Sequence, residues 1–322
     1  MTLGLPRERA LRTALLILVL TLSTAILMIT VNRLVPSADG MLGPDYSYFF
    51  PYLLSGVQWA HRNGWLAIPY FTPDYCVGIP WLANPQSMFY SAPQLLTGLI
   101  DPITAVKLTA LIFPTIGALA TYHVMRRCFG VSWQASCLTF VLFQLNSFLL
   151  FRIVIGHLPY HVFGLIPVLC WLVLLPTVAE PRSFCTNISS NLSKVITGAI
   201  VLAIMVYAGA TNFVIPAVLS VAAVLLVQHA RSGWRLAPWC ILAGACLWAI
   251  PLSAVKLVPA FIFIRSYPRP YIEGTLFVDP IRLFEVLTAS LFAPEVLPNG
   301  VSPVKGSPGF YRRHELDSYP HN

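Results

Sequence analysis

About seven runs of some twenty mostly apolar residues recur along the chain, near residues 12–31, 103–125, 132–151, 159–178, 195–210, 213–228 and 238–258. A helix that crosses the hydrocarbon core of a bilayer needs about that length. No soluble domain has use for so many such runs. Composition agrees: 57% of the residues are hydrophobic and only 10% are charged, against about 25% in a soluble domain. The sequence therefore predicts an all-α, polytopic transmembrane helix bundle over residues 1–264. It excludes a soluble enzyme, a secreted disulfide scaffold and a disordered chain. The fifth and sixth runs are short and meet at Ala210-Thr211-Asn212, a tight hairpin with polar residues at the bend.

The net charge of +8 does not point to nucleic acid. A nucleic-acid reader clusters Lys and Arg on a soluble surface, whereas here the basic residues stand at the ends of the apolar runs. They read as orientation signals. Arg7, Arg9 and Arg12 precede the first run, so the positive-inside rule puts the N-terminus in the cytoplasm. Alternation then places Arg126-Arg127, Arg182 with Lys194, and Arg231 with Arg235 on the same side. The first run has a longer apolar core than a cleaved signal peptide, although Val35-Pro36-Ser37 resembles a cleavage site. None of the seven cysteines forms a C-x-x-C pair, and no disulfide or thiolate metal site is expected.

Residues 32–102 then form one long extracytoplasmic loop, and loops of that length are usually functional. Gly43-Pro44-Asp45 is a helix-start signal. Tyr48, Phe49, Tyr52, Leu53 and Val57 follow at helical spacing, opposite Ser47, Ser55 and Gln58. Such a helix is expected to lie in the membrane interface. A second, interrupted interfacial segment is expected between Pro85 and Pro93. The tail, residues 265–322, is expected outside the cytoplasm as well, with a short interfacial helix over 280–291 and a polar, disordered end from Val296. A chain that stops there reads as a fragment of something longer.

No G-x-G-x-x-G, P-loop, H-E-x-x-H or G-x-S-x-G is present. Two N-x-S sequons, at Asn187 and Asn191, fall in a loop assigned to the cytoplasm and read as coincidence. What remains is a set of polar residues at one depth: Asp45 after the first span, Arg152 at the end of the third, His157 and His161 opening the fourth, Asn212 in the outer hairpin and Lys256 near the outer end of the seventh. Ionisable groups at membrane depth are costly and default to functional hypotheses. Each also has a plainer reading. Asp45 can complement a helix N-terminus, Arg152 and Lys256 can snorkel, and Asn212 can serve the turn. The two histidines, at i and i+4, share a face suited to a metal, but without a third ligand nearby no metal site is assigned.

The chain also resembles the GT-C superfamily of integral-membrane glycosyltransferases, in particular its YfhO-type and PTPS-related branches. The likeness is carried by Asp45-Tyr46 with Phe49-Phe50-Pro51, Trp59-Ala60-His61, Gly78-Ile79-Pro80, Asn84-Pro85-Gln86, Phe89-Tyr90 and Pro93. Gly156-His157 and Gly209-Ala210-Thr211-Asn212 continue it. The resemblance implies transfer of a sugar from a polyprenyl-phosphate donor, a membrane lipid, to an acceptor outside the cytoplasm. It makes Asp45 the general base or metal-positioning carboxylate, although many members carry two neighbouring acids where this chain has one. The need for a divalent metal therefore stays open. Arg152, His157, His161, Lys256 and Asn212 become candidates for binding the phosphate or substrate, and Tyr46, Trp59 and Trp81 candidates for stacking on the sugar. Two other readings stay open: a non-catalytic or truncated relative, and a secondary transporter or lipid flippase. The latter fits less well, because no internal repeat is evident and mid-span ionisable residues are scarce.

Overall fold

A backbone inside hydrocarbon must satisfy its own hydrogen bonds, and a single segment does so only as a helix. The computed structural model describes residues 6–37, 40–73, 78–179 and 188–267, and among these the regular secondary structure is helical apart from two short strands. The elements are α1 (Pro6–Leu34), α2 (Tyr46–Asn63), β1 (Phe71–Thr72), β2 (Ile79–Pro80), α3 (Ala92–Thr97), α4 (Pro102–His123), α5 (Trp133–Gln144), α6 (Ser147–Ile155), α7 (Leu165–Ala179), α8 (Ile188–Tyr207), α9 (Thr211–Ser232) and α10 (Ala237–Ser266). A π-helical turn, Val124–Cys128, extends α4, and a 3₁₀ segment, Leu158–Gly164, leads into α7. The strands pair antiparallel, Phe71 opposite Pro80 and Thr72 opposite Ile79. The expected tail helix over 280–291 and the polar end lie outside the described residues.

Among the described residues six stretches are long and apolar enough to cross a membrane: Thr13–Leu34, Pro102–Cys128, Trp133–Ile155, Leu158–Leu175, Thr211–Ser232 and Ala237–Ser266. The fifth run of the sequence forms a shorter apolar helix, Asn191–Tyr207. The third span is broken. After Gln144 the chain leaves the helix, and the Asn146 side chain accepts from the Leu149 amide at 2.8 Å to start α6 afresh. Prolines inside α4, α9 and α10 are tolerated as they are in membrane helices generally.

Two cores organise the bundle. Leu169 and Val173 of α7, Leu202 and Met205 of α8, Val221 and Leu225 of α9, and Ile241 and Ala245 of α10 form one. Leu27 and Val31 of α1, Phe49 and Leu53 of α2, Val106 and Ala110 of α4, and Leu149 and Ile153 of α6 form the other. The apolar face of α2 is therefore covered by protein. Ser47, Gln58, His61 and Arg62 occupy its open side, while Ser55 is buried. The opposite placement expected for Ser55 does not hold, and the aromatic and leucine stripe of α2 packs on the ends of α1, α4 and α6. A third cluster, Tyr52, Trp81 and Phe89 with Trp59 and Trp65 against it, holds the rest of the loop together.

Leu53 and Leu54 are neighbours that face opposite ways, the first fully buried and the second half exposed. Leu53→Ala is expected to lower unfolding stability by about 2–5 kcal/mol, and Leu54→Ala to stay within about 0.5 kcal/mol. Reversible SDS titration of the purified chain reads both. Equal effects would mean that the covered face of α2 is wrongly placed.

Candidate functional site

Two aspartates precede helices in the first loop region, and they behave differently. Asp101 caps α4: its carboxylate accepts from the Thr104 amide at 2.9 Å. Hydrogen bonds from Thr104, side chain first, hold that carboxyl below the usual carboxylate range. Asp45 occupies the equivalent position before α2 yet makes no side-chain cap. An N-terminal aspartate that caps nothing has been recruited elsewhere. Its Oδ2 lies 2.5 Å from Nε2 of His157.

The partner side is built by the C-terminus of α6. The His157 amide donates to the Arg152 carbonyl at 2.8 Å and the Gly156 amide to that of Ile153 at 3.1 Å, with Gly156 left-handed at φ +95°. This is a Schellman ending, in which the side chains of the first and last of its six residues, here Arg152 and His157, come into contact. Arg152 Nη1 lies 2.6 Å from His157 Nδ1. Gly156 is required twice over: its φ disfavours any other residue, and a Cβ would come within 2.6 Å of the Tyr46 amide nitrogen.

Proton positions follow from donor chemistry. A guanidinium only donates, so Nδ1 of His157 is the acceptor and carries no proton. Nε2 then bears the hydrogen and donates it to Asp45. The trio is carboxylate, neutral imidazole and guanidinium in series. The Arg152 guanidinium also lies over the rings of Phe148 at 5.4 Å and Tyr160 at 4.8 Å, and His157 stacks on Tyr160 at 5.7 Å. Asp45 remains 37% exposed against 22% for His157. Among the described residues its second oxygen, Oδ1, accepts no hydrogen bond, which leaves it open to a ligand.

Backbone contacts hold the two halves in place. The Asp45 amide donates to the Ile155 carbonyl at 3.0 Å, and the Tyr46 hydroxyl donates to the Ile153 carbonyl at 2.7 Å. Burial raises the Tyr46 phenol above its ordinary pKa, so it stays a donor. Gly43 allows the close approach, since a Cβ there would reach within 2.2 Å of the Val154 carbonyl oxygen.

The remaining candidates fall around this trio or away from it. His161 is buried; its Nδ1 donates to the Leu158 carbonyl at 2.7 Å, and its Nε2 has no hydrogen-bond partner among the described residues. It lines, with Pro93, Thr109, Ile153 and His157, a small cavity of about 10 Å³, room for roughly one water. Asn212 is exposed in the first turn of α9, next to Phe213, whose ring lies 5.6 Å from Tyr160. Lys256 is fully buried elsewhere and donates to the backbone carbonyls of Ser87 and, at 3.5 Å, Tyr207. Tyr46 and Trp81, each 1% exposed, present no open ring face here. Trp59 is half-buried, edge-on to Trp81 at 6.5 Å. No three His, Cys, Asp or Glu side chains converge to hold a metal among the described residues. Sequence reading passed over Phe148 and Tyr160, which flank Arg152; Phe148 stands one helical turn before it, a spacing that could have flagged the pair.

Nitrogen NMR of His157 in the reconstituted chain is expected to show a neutral ring protonated at Nε2. In Arg152→Met, Nδ1 loses its donor, and its resonance is expected to shift further toward that of an unbonded pyridine-type nitrogen. A native ring protonated at Nδ1 would contradict the arrangement.

No family model, curated protein sequence or solved structure matches this chain.

Proposed function

We propose that this chain is a membrane glycosyltransferase of GT-C type that takes a sugar from a polyprenyl-phosphate donor and passes it to an acceptor hydroxyl on the extracytoplasmic side. The observation that supports the reading best is the diversion of Asp45 from its capping role into a trio with His157 and Arg152, with one carboxylate oxygen left open. That oxygen can take the proton of an acceptor hydroxyl as the hydroxyl oxygen attacks the anomeric carbon. The bond from that carbon to the phosphate oxygen breaks, and the polyprenyl phosphate leaves. Arg152 supplies positive charge beside the growing phosphate charge. His157 keeps Asp45 aimed, because its donated proton cannot move to the other ring nitrogen while Arg152 occupies that side. Asn212 and the start of α9 border the same region through Phe213 and Tyr160. Lys256 contributes by anchoring the loop rather than by reaching the ligand.

This reading needs the first loop outside and the N-terminus in the cytoplasm, as the distribution of basic residues favours. A reporter inserted after Ser55 is expected to read extracytoplasmic and one after Arg127 cytoplasmic. The reverse pattern would overturn the assignment of the site.

The chemical test uses proteoliposomes with radiolabelled polyprenyl-phosphate hexoses and follows release of polyprenyl phosphate. Asp45→Asn keeps the size and a hydrogen-bond acceptor but removes the base. It is expected to cut transfer about 10²–10⁴-fold while membrane insertion is unchanged. Unchanged transfer by that variant, or no transfer by the native chain with any hexose donor, would sink the proposal.

A further inference from the structure

Leu66 and Leu99 are 95% and 84% exposed, more than any other large apolar residue among the described ones, and more than Ile215 in a span at 69%. They come from distant parts of the first loop that meet at the residues just before them. The Trp65 ring lies so close over Gly98 that a Cβ there would come within 2.7 Å of it, and the same ring stacks on Phe89 at 6.0 Å. Leu66 and Leu99 each follow one member of that contact. Leu95, half exposed one turn before Leu99, adds to the patch.

What covers the patch is indicated by its continuity with α4. Leu99 stands just before Asp101 and Pro102, where α4 and a candidate span begin. The outward stripe of that helix runs Leu108, Ile112, Ile116 and Leu119, directed at lipid. Between the leucines and this stripe stand the exposed Asp101 and Thr104, polar groups at the level where headgroups lie. The open side of α2 is mostly polar, with Leu54 half exposed on it, and its aromatic side is covered by protein.

We propose that Leu66, Leu95 and Leu99 rest among the headgroups of the leaflet at which α4 begins. They fasten the folded loop to the membrane surface. The inference rests on the chain spanning a bilayer and is independent of the transfer reaction.

The test places benzoylphenylalanine singly at positions 66 and 99 of the full chain, held one copy per nanodisc of phosphatidylethanolamine and phosphatidylglycerol. Position 112 on α4 and position 58 on the polar side of α2 serve as comparisons. After irradiation, intact mass is expected to show lipid adducts at 66 and 99 comparable to those at 112, with none at 58. Adducts at 112 without any at 66 and 99 would overturn the proposal while leaving the membrane reading intact. So would crosslinks from 66 or 99 to a second chain in discs holding two copies, with no lipid adducts in single-copy discs. No adduct at 112 would mean that α4 does not face lipid, and both readings would fall.

Discussion

The start of α2 rests on the end of α6, and the rest of the candidate site depends on that seat. The Asp45 amide takes up the Ile155 carbonyl, which the helix end would otherwise leave unpaired, and the Tyr46 hydroxyl adds a second donor to the Ile153 carbonyl. A helix that stops near the bilayer surface needs such partners, and the first loop supplies them. In exchange the loop receives a fixed position. Gly43 and Gly156 are the two points where backbone meets backbone, and a side chain at either would push Asp45 away from His157.

Electrostatics explains why an imidazole stands between the acid and the base. A direct bidentate pair of aspartate and arginine would engage both carboxylate oxygens and leave neither of them open. With His157 interposed, Asp45 gives up one oxygen only. The guanidinium charge is held one ring further off, sandwiched between Phe148 and Tyr160, where cation–π contact offsets part of its lost hydration. The trio carries no net charge, which limits the penalty of holding ionised groups at membrane depth.

How much of this was legible in the sequence differs by range. The apolar runs correspond to the helices, because length and hydropathy suffice to mark them; the fifth is merely shorter than a full span. Gly43-Pro44-Asp45 correctly marked a helix start. The Schellman ending that joins Arg152 to His157 is also local, written in the six residues Arg152 to His157, yet it was read only as a shared depth. The link from Asp45 to His157 spans more than a hundred positions, and no local pattern announces it. The periodicity of α2 marks its apolar face but not what covers it: an aromatic stripe is equally content against lipid headgroups or against other helices. Trp81 and Tyr46 likewise looked like open platforms because sequence carries no record of what packs on a ring.

Lys256 completes the account of the loop. A lysine 1% exposed in a membrane-crossing helix would be a poor choice for a phosphate ligand that has to be reached from outside. Its ammonium instead joins α10 to the Ser87 carbonyl of the first loop and the Tyr207 carbonyl at the end of α8. An isolated buried charge is expensive, and backbone carbonyls are the acceptors the loop has to spare at a turn. The first loop is therefore fastened at both ends, by Asp45 and Tyr46 to α6 and by Ser87 to α10, with Tyr52, Trp81 and Phe89 packed between. A carboxylate set in a segment held this way needs little reorganisation to meet a ligand, and that is the condition under which a single acid can be used efficiently. The scarcity of charged residues in the chain thus divides into two kinds of work: Asp45, His157 and Arg152 face the site, while Lys256 holds the segment that carries it.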